Sequence, residues 1–264
     1  VLLNIEPDHL DRHGTFEAYV EAKRGAFKRQ PPDAIAVLSA DEPREIGGAA
    51  RRVRFGLAPD TGSDVTYRSQ WIRWRGERLL HADELGVPGA HNLENAMAAA
   101  AVTLARGVDP DAVREGLRTF AGVPHRLELV AERDGVAWVN DSKATNVAST
   151  GVALRTFALR DARVQLILGG RTKAQDFSPL VEDVAAICDA VRLIGEGAGE
   201  IAAALAPAEV PMIFAETLER AVTGARTAAR PGEVVLLSPA CASFDQYPDF
   251  EARGEHFRAL VERL

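Results

Sequence analysis

The apolar positions change period several times along the chain. Residues 1–5, Val-Leu-Leu-Asn-Ile, and residues 34–38 are near-continuous apolar runs of the kind carried by strands buried on both faces. Between them Phe16, Tyr19, Val20, Ala22 and Phe27 recur at roughly helical spacing from Thr15 onward, until Pro31-Pro32 stops the helix. Ser39-Ala-Asp-Glu-Pro43 reads as a turn into a short helix. Residues 51–56, 64–69, 71–75 and 78–82 are short strand candidates separated by glycine and polar residues. The alternation Trp71-Ile-Arg-Trp74-Arg predicts that they form an antiparallel flap with one exposed side. An Ala-rich helix then runs from His91 to Arg106. A second spans residues 110–120, with Pro110 near its first turn and Asp109 placed to cap it.

Gly122-Val-Pro124 breaks that helix and marks the expected domain boundary, dividing the chain into 1–122 and 123–264. Beyond it, two apolar runs at 127–132 and 136–139 flank Asp134-Gly135, a hairpin signal because such turns need positive φ. A helical pattern starts at Val147. Strand and helix patterns then alternate: strands at 164–168, 190–194, 211–215 and 233–237, helices at 178–188, 199–205, 217–230 and 247–264. Such alternation predicts βαβ units and a mainly parallel sheet with helices on both faces.

Composition narrows the classes. With 47% hydrophobic and 26% charged residues in 264, the chain is an ordinary globular one with enough material for sizeable cores. A net charge of −7 argues against nucleic acid as a partner, although local cations and helix termini can still hold phosphates. Cys188 and Cys241 are far apart, suggest no disulfide framework and fit a reducing cytoplasm. No apolar run approaches the length of a membrane span. The chain opens without Met in an apparent mid-strand, which is read as a fragment lacking its N-terminal part.

The densest chemistry lies in Asn140-Asp-Ser-Lys-Ala-Thr-Asn146, at a strand-to-helix junction where free N–H groups favour anions. Asp141, Ser142, Thr145 and Asn146 are each equally readable as helix caps. Asn92 and Asn95 share a helix face and could address a purine edge, or Asn92 could simply cap the helix. Lys23, among Arg24, Lys28 and Arg29, reads locally as part of a solvated basic face, and His9 as a loop histidine. Gly195-Glu-Gly197-Ala-Gly199 follows a strand and opens a helix. Its third glycine comes one residue early for a dinucleotide fingerprint, so it is read as a tight turn.

Taken together, His125-Arg126, the 140–146 heptad, Leu168-Gly-Gly170 with Lys173, Asp176-Phe-Ser-Pro179 and Leu237-Ser-Pro-Ala-Cys-Ala-Ser-Phe-Asp-Gln246 resemble the Mur ligase family, most nearly its D-glutamate-adding members. The resemblance implies an α/β fold: the later part of a central ATPase domain over 1–122, then a Rossmann-like, mainly parallel C-terminal domain over 123–264. It implies ATP-dependent amide-bond formation through an acyl phosphate, with ATP and Mg²⁺ as cofactors. UDP-N-acetylmuramoyl-L-alanine and D-glutamate would be the substrates of a cytoplasmic monomer that binds no nucleic acid and does not insert into a membrane.

Residue by residue, Lys23 matches a lysine carried as a carbamate, and His9 a magnesium ligand beside it. Asn92 and Asn95 match adenine contacts. His125, Arg126 and Asp141 match nucleotide contacts, with His125 either positioning that group or only packing. Lys143, Thr145, Lys173, Ser243 and Phe250 match the surroundings of the amino-acid substrate, with Lys143 among the catalytic groups. The departure is that no G-x-x-x-x-G-K-[ST] loop occurs in the 264 residues. The chain alone is therefore expected not to turn over.

Overall fold

The structure, a computed structural model, describes residues 1–7, 10–42, 44, 46–58, 62–87 and 89–264, with the side chains of Asp11, Ala90 and His91 excepted. The chain forms two compact units, one of Val1–Pro7 and His13–Gly122, the other built on Val123–Leu264.

The single turn α1 (Leu10–His13) precedes α2 (Phe16–Lys28) of the first unit, whose N-cap Thr15 accepts from the Ala18 N–H. A five-stranded sheet follows in sequential order: β1 (Ile35–Ser39), β2 (Arg51–Gly56), β3 (Val65–Arg68), β4 (Trp71–Trp74) and β5 (Glu77–His81). One face, with Val37, Val53, Phe55, Val65 and Ile72, packs on Leu93, Met97, Ala101 and Leu104 of α3 (Ala90–Ala105). The other, with Ala36 and Leu38, packs on Tyr19 and Phe27 of α2 together with Leu2, Ile5 and Ile46. Helix α4 (Pro110–Thr119) is capped by Asp109.

Three sequence expectations fail here. The strand at 1–5 is reduced to one parallel bridge between Leu2 and Leu38, because only Leu2 and Ile5, three residues apart, turn inward, and a strand buries every second residue. Residues 51–56 belong to no flap: β2 runs parallel to both β1 and β3, and only β3 to β5 are antiparallel. The alternation Val53-Arg54-Phe55 shows a strand but not its partner. No helix follows Ser39 among the described residues up to Ala50; Gly47 and Gly48 adopt φ of 69° and 86° there, outside helical space.

The second unit carries a six-stranded sheet in the order β10-β9-β8-β11-β7-β6. Its strands are β6 (Glu128–Arg133), β7 (Val136–Asn140), β8 (Val164–Gly169), β9 (Cys188–Ile194), β10 (Met212–Glu216) and β11 (Val234–Leu237). Only the β6–β7 pairing is antiparallel, closed by Asp134 and Gly135 at φ of 52° and 75°. Helices α5 (Val147–Ala158), α6 (Val181–Ile187) and α7 (Ala198–Leu205) cover one face, on Leu166, Leu168 and Leu236. Helices α8 (Leu218–Ala228) and α9 (Phe250–Glu262) cover the other, on Ile167, Val235 and Leu237. Strand β11 leads to α9 yet lies between β7 and β8, whose helices are on the opposite face. Strand order thus reverses at β11, and in open α/β sheets ligands bind outside the carboxyl ends of strands at such a point.

Candidate active site at the strand ends of the second unit

At that reversal β7 ends at Asn140 and Asp141 follows it, both buried. The Asp141 N–H donates to Leu237 O at 2.7 Å, which pins the segment to β11. Its carboxylate accepts from Ser238 Oγ at 2.8 Å and from the Leu127 N–H at 3.2 Å. Ser238 Oγ also lies 3.1 Å from Thr150 Oγ1 of α5. Burial, opposed by these hydrogen bonds and by nearby Arg126, pushes the Asp141 pKa up to about 7. Both oxygens already have protein partners, so only their remaining lone pairs are available to a ligand.

Asn140 turns the other way. Its Nδ2 lies 2.9 Å from His125 Nδ1 and donates to Gly254 O at 3.2 Å, while its Oδ1 accepts from the Ser142 N–H at 3.1 Å. With Nδ1 accepting, the proton of neutral His125 sits on Nε2, 3.4 Å from Glu255 Oε1. His125 is therefore held rather than merely packed. A Cβ on Gly254 would come within 2.2 Å of His125 Nδ1, so that helix position has no room for a side chain.

The segment is locked from below by Arg253 of α9, which is 1% exposed. Its guanidinium donates to Ser142 Oγ (2.9 Å), Ser142 O (2.9 Å) and Cys241 O (3.1 Å). No carboxylate is among these partners, and burial lowers its pKa to about 10. The sequence reading gave no role of their own to Arg253, Asn140 or Ser238, although the last two lie within its motifs. Arg253 had a signal: it interrupts the apolar stripe Phe250, Phe257 and Val261 of an otherwise ordinary amphipathic helix.

The loops after β8, β9 and β11 close against one another. Arg171 and Ala242 exchange backbone hydrogen bonds at 2.9 and 3.1 Å, and Gly170, at φ of 132°, has Ala242 O where a Cβ would sit. The Gly195 turn is consumed by the same packing. The N–H groups of Gly195, Glu196 and Gly197 donate to Glu216 O, Asp245 Oδ2 and Gly170 O, and none of the three is left for a pyrophosphate. The tight-turn reading stands.

Among the predicted residues, Lys143 is exposed and its Nζ lies 4.4 Å from the centre of the Phe250 ring, which also meets His125 edge-on. Ser142 Oγ donates to Phe250 O, tying the start of α9 to this group. Thr145 is half-buried just before α5, whose N-cap is Asn146, with Oδ1 accepting from the Ser149 N–H. Lys173 is half-buried in left-handed backbone, and its charge acts on buried Cys241. Ser243 is buried and Arg126 exposed. Burial raises the Cys241 thiol to about 12, which leaves it a packing residue.

In the first unit Asn92 and Asn95 are both half-buried near the start of α3, where Gly89 occupies the cap position, so Asn92 is not the cap. Lys23 is exposed, with Nζ 4.9 Å from the Tyr19 ring centre. His9 lies outside the described residues.

Comparison with known proteins decides what these strand ends belong to. Residues 1–103 match the Mur ligase middle domain and residues 125–241 the Mur ligase glutamate ligase domain. The chain belongs to the Mur ligase family. A protein of Marinobacter nauticus named UDP-N-acetylmuramoylalanine--D-glutamate ligase is 43% identical over 270 residues, covering 100% of this Mur ligase chain and 60% of the relative. A protein of the same name from Symbiobacterium thermophilum is 44% identical over 276 residues, with 100% and 60% covered. The chain thus spans about 60% of the length of the curated relatives it matches. The crystal structure of Thermotoga maritima MurF ligase in complex with ADP superposes with a TM-score of 0.74 at 19% identity, covering 100% of this chain and 63% of that one, which shows the shared fold.

Of the two expected magnesium ligands, His9 and Lys23, only Lys23 lies among the described residues. Among the described residues no three His, Cys, Asp or Glu side chains cluster to hold a metal ion, and Lys23 as an ammonium is no oxygen donor.

Proposed function

We propose that this Mur ligase chain is the later part of an ATP-dependent ligase joining D-glutamate to UDP-N-acetylmuramoyl-L-alanine. A carboxylate of the acceptor would attack the γ-phosphorus of ATP, giving an acyl phosphate and ADP. The D-glutamate amine would then add to the acyl carbon, and collapse of the tetrahedral intermediate would expel phosphate while the nitrogen loses its proton. Chemistry of this kind depends on positioning and charge neutralisation more than on a nucleophilic side chain.

The observation that carries the reading is the meeting of three loops at the carboxyl ends of β7, β8 and β11. They bring Lys143 and Thr145, Lys173, and Ser243 to one side of the sheet, and two ammonium groups with two hydroxyls suit a dicarboxylate. Phe250 would serve as the apolar wall beside them. For the nucleotide, Arg126 is exposed to meet phosphate, Asp141 has spare lone pairs for ribose hydroxyls, and His125 orients the segment that carries Arg126. Asn92 and Asn95 would address adenine. His9 and a carbamylated Lys23 would complete a metal site in the intact protein.

Substitution of residues 1–264 for the matching segment of the Marinobacter nauticus relative gives a protein in which to assay the reading. Phosphate release that requires ATP, UDP-N-acetylmuramoyl-L-alanine and D-glutamate is expected. Release supported by a different amino acid would reassign the chain to a sister ligase, and no release in a folded chimera would leave a binding module.

A further inference from the structure

Outside every residue named in that reading, one side chain touches all three of its loops. Gln175 lies two residues after Lys173. Its Oε1 accepts the N–H of Val147, the first residue of α5 and two beyond Thr145, at 3.2 Å. Its Nε2 donates to the carbonyl of Ala240, three residues before Ser243, at 2.6 Å. One partner is a donor and the other an acceptor, so only one orientation of the amide satisfies both. The Val147 N–H belongs to the first turn of a helix, where no intrahelical acceptor exists, and Ala240 is fully buried at φ of 55°. Either group would be costly to leave unpaired.

The backbone next to Gln175 needs an anchor. Lys173 and Ala174 are consecutive non-glycine residues at φ of 55° and 53°, a conformation in which the Cβ crowds the following carbonyl. Such a pair persists only where its surroundings over-determine it. The Gln175 backbone N–H reaches Thr172 O at only 3.4 Å, so the side-chain amide is the stronger tie on that flank.

The geometry points to Gln175 as a positioning residue that fixes the Lys173 ammonium relative to Thr145 and Ser243, and so sets the affinity for a dicarboxylate amino acid. The inference rests on the glutamate reading above. It adds that the three loops are set in register by one amide rather than by their own backbones alone.

The test is titration calorimetry of D-glutamate into the 264-residue chain and its Gln175→Met and Gln175→Glu variants, with the thermal transition of each followed in parallel. Gln175→Met keeps the length of the side chain without its hydrogen bonds, and is expected to bind about tenfold or more weakly than the parent. Gln175→Glu keeps the acceptor and loses the donor at neutral pH, but a protonated carboxyl has both. Its deficit relative to the parent should therefore shrink as pH falls from about 8 to about 5, a profile that a merely space-filling role would not give. Parent binding with both variants unchanged would overturn the positioning role and leave the glutamate reading intact. A parent chain that binds no D-glutamate would overturn both. A folded variant with weak binding and no recovery at low pH would overturn the hydrogen-bonding account.

Discussion

Asp141 is a carboxyl whose environment outweighs its hydrogen bonds. Three groups favour its charged form, yet burial wins and its pKa stands near 7 against an ordinary 3.8. In the unfolded chain the group ionises near its ordinary value, so between about pH 4 and pH 7 the folded state holds a proton that the unfolded state has lost. Stability contributed by this site is therefore greatest at low pH, declines through that window and is flat above it. The decline is bounded on the order of 4 kcal/mol. Asp141→Asn should flatten this slope in urea midpoints measured from pH 4 to 8, and an unchanged slope would place the titration elsewhere. Arg253 follows the complementary logic: a cation kept in the interior by hydrogen bonds to carbonyl and hydroxyl acceptors, none of them a carboxylate. The roles of both residues depend on what surrounds them: the interrupted apolar stripe of α9 could flag Arg253 in the sequence, but not the acceptors that hold it, and the burial that raises the Asp141 pKa is set by distant segments.

At the scale of elements, the strand-end loops of the second unit are packed against one another through backbone, and glycine marks the contacts. Gly170 combines φ of 132° with a space in which Ala242 O would lie 2.3 Å from an added Cβ. Backbone oxygen cannot swing aside as the end of a side chain can. Gly170→Ala should therefore cost about 3 kcal/mol or more, read as a lowered chemical-denaturation midpoint with an unchanged slope. Full retention of stability would mean the Arg171–Ala242 bridge shifts easily. Most of the elements themselves were legible in the chain. The hairpin through Asp134-Gly135 and the alternating strands and helices from 164 to 264 follow from period and turn chemistry, which are local properties. The elements that sequence misplaced have two causes. Residues 1–5 and 51–56 carry strand-like patterns whose partner and direction depend on residues far along the chain, and two glycines with positive φ removed the helix expected after Ser39.

For the molecule as a whole, the two units have separate apolar cores: the clusters around Val53 and Met97 and around Tyr19 and Leu38 in one, and those around Leu166 and around Val235 in the other. A sheet of six strands covered by helices on both faces needs no outside partner to bury its apolar surface. We expect residues 123–264, expressed alone, to unfold in one cooperative transition by far-ultraviolet circular dichroism. A non-cooperative melt would show that this core is incomplete without the first unit.

The sequence by itself determined the periodic elements, the α/β class and, through long motifs, the family, because these depend on residue order and local geometry. It also placed the candidate cations and hydroxyls on loops at strand ends. Only the tertiary structure decided that β2 is parallel on both sides, that Asp141 holds its proton near neutrality, and that Gln175 and Arg253 join loops tens of residues apart. Burial and hydrogen bonding between distant segments decide those matters, and neither exists until the chain has folded.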